Sequence, residues 1–163
     1  MVPPARSVTR DSVDAVTDAL LTASRLLVAI SARSIAHVDD TITLPQFRTL
    51  VILSTQGPVK LATLAQQLDV QPSTATRMVE RLLSAELITR QPNPQTRREL
   101  IIDLTPHGRE VVAEVTASRR REIAQVVQNM PAAQRHGLVD ALNAFTAAGG
   151  EFAATEGSQA YPL

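Results

Sequence analysis

The chain has 163 residues, 16 basic against 16 acidic, with 44% hydrophobic and 20% charged residues and no cysteine. These values fit a globular domain with a real core rather than a disordered chain, and they exclude disulfide frameworks, thiolate metal sites and cysteine nucleophiles. A net charge of zero argues against a polyanion binder coated all over in Lys and Arg, and leaves a local basic face open.

Aromatic residues make up only 2% of the chain, so the core must be built from Leu, Val, Ile and Ala, a mixture that favours helix over sheet. Residues 1–10 read as a flexible leader, in which Pro3-Pro4 opposes helix and no apolar run resembles a signal peptide. No stretch approaches the roughly 18 uninterrupted apolar residues of a membrane helix, so a cytoplasmic location without a membrane partner is expected. From about Asp11 to His37, Val13, Val16, Leu20, Leu27 and Ile30 recur near helical spacing. Asp11, Asp14 and Asp18 sit toward the end that the helix dipole favours for acids. A helix this long and apolar needs partners on both sides, which points to a second chain.

Thr43-Leu44-Pro45-Gln46 has the form of a capping box, with Pro45 where first-turn amides lack partners anyway. The helix it opens should bury Phe47, Leu50, Val51 and Leu53 and stop at Gly57-Pro58. A short helix follows over about 61–68, with Leu61, Leu64, Ala65 and Leu68 on one face. After the turn Asp69-Val70-Gln71, Pro72 opens another helix to about Ala85. Its apolar face is Ala75, Met78, Val79 and Leu82; its other face carries Ser73, Thr74, Thr76, Arg77 and Arg81.

The period then changes from about 3.6 to 2. Residues 87–90 and 100–104 read as strands flanking a run of turn formers over 91–96, which makes a β-hairpin with a protruding tip. Thr105-Pro106 caps a long helix to about Asn129, with Val111, Val112, Val115, Ile123, Val126 and Val127 for burial. Met130-Pro131 breaks it, and a last helix over about 132–148 carries Leu138, Leu142 and Phe145 before Gly149-Gly150.

Two short helices joined by a tight turn and followed at once by a hairpin form a winged helix–turn–helix. A helix entering the DNA major groove presents residues near its N-terminus to base edges and phosphates. Ser73, Thr74 and Thr76 allow close approach there, and Arg77 can reach guanine with two hydrogen bonds. Between Ser73 and Arg98 stand Arg77, Arg81, Arg90, Arg97 and Arg98 against Glu80 and Glu86, a local excess of three positive charges. Arg97-Arg98 at the tip suits a narrow minor groove. From spacing alone the same arginines also read as a solvated face on a packing motif.

The motifs narrow this. Thr43-Leu44-Pro45-Gln46-Phe47, Leu64-Ala65-Gln66-Gln67-Leu68 with Pro72-Ser73-Thr74-Ala75-Thr76-Arg77, the stretch from Pro92 to Arg98, and Leu104-Thr105-Pro106-His107-Gly108 fall in order over about 65 residues. Together they resemble the MarR (multiple-antibiotic-resistance regulator) family. That resemblance implies a mainly α fold with a small β-hairpin wing, the winged helix–turn–helix being flanked by long dimerisation helices. It implies one continuous domain: leader 1–10, N-terminal dimerisation helix 11–42, DNA-binding lobe 43–108, C-terminal dimerisation helices 109–150 and flexible tail 151–163. It further implies a homodimer on a palindromic operator in double-stranded DNA, usually a repressor, and in many members a small anionic aromatic effector.

The expected DNA-binding residues are Ser73, Thr74, Thr76, Arg77, Arg81, Arg90, Arg97 and Arg98. Dimerisation is assigned to Val13, Val16, Leu20, Leu138, Leu142 and Phe145, and an effector pocket, by position, to His37, Phe47 and Arg48. Three departures from the family pattern stand out: Thr96 where an Asp usually precedes the wing arginines, Glu86 where a Gly usually ends the recognition helix, and Gln71 where a Ser cap is common. Catalytic constellations, cofactor loops and a metal site are not expected; His37-Val38-Asp39-Asp40 reads as a polar helix end. The rival reading is a winged-helix module that binds protein and has lost DNA.

Overall fold

The computed structural model describes residues 12–93, 96 and 99–150. The expected leader and tail, Asp11, and the tip residues Arg97 and Arg98 lie outside the described residues.

Helix α1 (Val13–Val38) is capped by Ser12, whose hydroxyl accepts the Ala15 amide at 3.2 Å. Helix α2 (Leu44–Gln56) opens on the anticipated capping box. The Thr43 amide donates to Gln46 Oε1 at 2.7 Å, the Gln46 amide donates to Thr43 Oγ1 at 3.4 Å, and Gly57 ends the helix at φ 77°. Next come β1 (Val59–Lys60), α3 (Leu61–Leu68), α4 (Pro72–Ser84), β2 (Ile88–Pro92) and β3 (Leu100–Leu104). Helix α5 (Pro106–Asn129) begins where the Thr105 hydroxyl accepts the Gly108 amide at 2.9 Å. Short α6 (Ala132–Arg135) and α7 (Leu138–Ala148) follow.

The sheet has three antiparallel strands in the order β1-β3-β2. The hairpin register pairs Ile88 with Leu104, Arg90 with Ile102 and Pro92 with Leu100, while Val59 faces Ile102 and Lys60 faces Ile101. Strand β1 is an addition to the expected hairpin, since two residues carry no readable period.

One core cluster fills the winged lobe: Leu50 and Leu53 from α2, Leu64 from α3, Val79 and Leu82 from α4, and Leu87, Ile88, Ile102 and Leu104 around the sheet. Ile35 from α1 and Val111, Val112 and Val115 from α5 close it from the side of the long helices. This pins the lobe to the crossing of α1 and α5.

Several expectations need correction. Leu53 is core as expected, but Val51 and Met78 are only half-buried. Ile123 is half-buried, and Val126 and Val127 are exposed, because α5 runs past the lobe that could cover them. The expected helix over 132–148 is two pieces, interrupted at His136-Gly137, where Gly137 takes φ 74° and so breaks the right-handed run. Along α1 only Ile30, Ser31, Ser34 and Ile35 are buried. By length and composition α1 would suffice to cross a membrane, although no uninterrupted apolar run predicted this; Asp14, Asp18, Arg25 and Arg33 interrupt it without outweighing its apolar residues.

Candidate nucleic-acid interface

The turn between α3 and α4 is set by Asp69, which takes the left-handed conformation (φ 53°) while the Val70 amide donates back to the Ala65 carbonyl at 3.0 Å. Asp tolerates this conformation better than most side chains. Gln71 is then extended and Pro72 starts α4, with no side chain capping the first amides. Ala75, Val79 and Leu82 are buried, which fixes the rotation of α4 and leaves Ser73, Thr74, Arg77 and Arg81 exposed. Thr76 is half-buried, its hydroxyl donating to the Pro72 carbonyl at 2.9 Å; the Arg77 Nε–H reaches the Ser73 carbonyl at 3.4 Å. Arg90 is exposed on β2, the strand that follows α4. The structure therefore gathers six of the eight expected DNA-contacting residues on the exposed side of α4 and on β2; the other two, Arg97 and Arg98, are not described.

The junction between α4 and the hairpin is tight. Glu86 sits at φ 58°, the left-handed conformation that Gly usually supplies, and its carbonyl accepts the Thr105 hydroxyl at 2.7 Å. The Thr105 amide donates to the Leu87 carbonyl at 3.1 Å. Gly108 lies so close that a Cβ there would stand 2.0 Å from the Leu87 carbonyl oxygen. The start of α5 is thus clamped to the end of the recognition segment.

Beyond the last strand pair the turn is closed by backbone bonds, Asn93 N–H to the Glu99 carbonyl at 2.8 Å and Glu99 N–H to the Thr96 carbonyl at 2.9 Å. Glu99 Oε2 also accepts from Lys60 Nζ at 2.7 Å, Thr96 Oγ1 at 3.2 Å and Asn93 Nδ2 at 3.4 Å. The hydrogen bond from Lys60, above all, holds the Glu99 carboxyl below its ordinary pKa, so it is ionised at neutral pH. Sequence reasoning missed this cluster. Lys60 is remote in sequence, and only the unforeseen β1–β3 pairing brings it to the foot of the wing.

Two open cavities, of about 220 and 320 Å³, lie between the start of α2 and α4 and share Thr43, Gln46 and Arg81 as lining; Arg77 joins the larger one. The expected effector residues are not assembled there. Phe47 is 3% exposed, packed in the core by the amphipathic pattern of α2, while His37 and Arg48 are exposed and line neither cavity. Among the described residues no group of three or more His, Asp or Glu could hold a metal ion.

A helix–turn–helix with an arginine-bearing second helix, a hairpin wing and long flanking helices defines the winged-helix class of regulators. The MarR family profile matches residues 42–100. The crystal structure of RV1404 from Mycobacterium tuberculosis is 65% identical, with a TM-score of 0.82, over 90% of this chain and 99% of that one. The HTH-type transcriptional repressor MdtR of Bacillus subtilis (strain 168) is 33% identical over 84 residues, which is 52% of this chain and 54% of MdtR. The multiple antibiotic resistance protein MarR of Salmonella typhimurium is 37% identical over 67 residues, 41% of this chain and 46% of that protein. The chain thus spans about half the length of the curated relatives it matches. It belongs to the MarR family, whose members are transcriptional regulators rather than enzymes.

Proposed function

We propose that the protein is a cytoplasmic, sequence-specific transcriptional repressor that binds a palindromic operator as a homodimer. The observation that carries this reading is the two-sidedness of α4. Its inner face is locked into the core by Ala75, Val79 and Leu82, while its outer face offers two hydroxyls and two guanidinium groups to a groove. The name of the relative MdtR supports the repressor sense. The exposed apolar residues of α1 and α7 support a second copy as partner. A small anionic aromatic effector would act by favouring one spacing of the two recognition helices over another; the cavities edged by Arg77 and Arg81 support a ligand of that charge.

A selection of bound duplexes from a random pool tests the reading. It should return a palindrome whose affinity falls steeply with salt. Arg77→Ala should cost about 1–3 kcal/mol, concentrated at one operator position, if Arg77 reads a base. A pool that returns no enriched duplex would favour the protein-binding module instead.

A further inference from the structure

An acidic side chain is an unfavourable choice on a surface that meets a polyanion, because its charge repels phosphate. Glu99 nevertheless stands directly after Arg97-Arg98. Its surroundings give it a different task. A single oxygen, Oε2, collects hydrogen bonds from Thr96 and Asn93, which lie on the far side of the two arginines in sequence, and an ion pair from Lys60. Lys60 belongs to β1 and is also the residue from which α3, the first helix of the helix–turn–helix, starts. The carboxylate therefore ties Thr96 and Asn93, which precede Arg97 and Arg98 in sequence, to the body of the helix–turn–helix.

We infer that Glu99 is a positioning residue for DNA binding: its bridge from Thr96 and Asn93 to Lys60 fixes the wing against α3. The inference rests on the DNA-binding reading above and assigns to this carboxylate a role opposite in sign to its charge. An isolated exposed pair is worth little, and both side chains here are about half exposed, at 49% for Lys60 and 42% for Glu99. Three donors on one oxygen make a small network instead, and its benefit is orientation of the wing rather than stability of the fold.

The sign of the effect makes the test sharp. Glu99→Ala removes a negative charge from the DNA-facing side, so electrostatics alone would tighten binding. Loss of positioning would weaken it. The full chain is titrated by fluorescence anisotropy against a labelled duplex, the strongest that random-pool selection on the wild-type protein returns. Glu99→Ala is expected to weaken binding about three- to fivefold and to flatten the salt slope by roughly one phosphate contact. Its thermal midpoint should stay within about 2 °C of wild type, as for other surface changes. Lys60→Met should weaken binding as well, and Glu99→Ala should cost less in that background than in the wild type, because the bridge is already broken. Binding that is unchanged or tighter in Glu99→Ala, or effects that simply add, would overturn the positioning role while leaving the DNA-binding reading intact. Failure of the wild type to enrich any duplex would instead overturn that reading, and the inference with it.

Discussion

Two residues at the junction between α4 and α5 show how local conformation decides the sign of a substitution. Gly108 lies in the first turn of α5, where Ala would ordinarily gain about 1 kcal/mol in helix propensity. Here the added Cβ would stand 2.0 Å from the Leu87 carbonyl oxygen, a backbone atom that cannot swing aside. Overpacking of this kind costs about 1–3 kcal/mol, so Gly108→Ala should lower the denaturant midpoint despite the better propensity. Glu86 presents the opposite case. It occupies φ 58° and carries a Cβ that this conformation disfavours, while the bond it makes to Thr105 uses only its backbone carbonyl. Glu86→Gly keeps that bond and relieves the strain, and part of the gain is offset by a more flexible unfolded chain. A net stabilisation of about 0.5–1 kcal/mol is expected by the same measurement. The departure from the family's glycine thus changes the strain at the junction and not its geometry.

At the scale of elements, helix α4 starts without a side-chain cap, because Gln71 places no acceptor on the first-turn amides. Gln71→Ser should supply one and raise stability by about 0.5–1 kcal/mol, read as a higher thermal midpoint. The beginnings of helices were the most legible part of this sequence for the same reason: caps are local. Thr43 with Gln46, and Thr105 before Pro106, announce α2 and α5 from four consecutive residues each, and both structural caps follow. The amphipathic faces of α3 and α4 were legible too, since a period needs only two turns to show. What escaped notice was long-range. Strand β1 exists only because β3 is there to pair with it, and the contact between Lys60 and Glu99 depends on that pairing. The break at Gly137 was hidden inside a run of good helix formers; Phe47 stands in the core, as the pattern of its own helix predicts, and not at a pocket wall. Ser73, Thr74, Arg77 and Arg81 are exposed because the rotation of α4 is fixed by its apolar stripe, which the sequence displays directly, while Thr76 is half-buried beside them and Arg90 is exposed on β2.

Among the described residues, most of the exposed large apolar side chains lie on α1, α5 and α7. Val13 is 81% exposed, Leu142 46% and Phe145 54%, with Leu21, Leu26, Leu27 and Val28 exposed along α1 and Val126 and Val127 on α5. Each such side chain gains about 1.5–3 kcal/mol on full burial, and exposed apolar surface on this scale points to an interface. A membrane could in principle cover α1 alone, but it would leave α7 uncovered and would have to accommodate Asp14, Asp18, Arg25 and Arg33 on the same helix. In the proposed homodimer a second copy would cover apolar residues of α1, α5 and α7 together and would bring the two α4 helices into the fixed relation that a palindrome requires. In that dimer Phe145→Asp would place a charge in the interface from both copies at once, so its cost would enter twice. Sedimentation equilibrium at micromolar concentration should show wild type as a dimer and Phe145→Asp shifted toward monomer, with operator affinity falling in parallel because each monomer holds only one half-site. Arg77→Ala is the necessary contrast: it should lose operator affinity while remaining a dimer. If Phe145→Asp stays dimeric, α7 does not contribute to the interface, and the apolar faces of α1 and α5 must form it without α7.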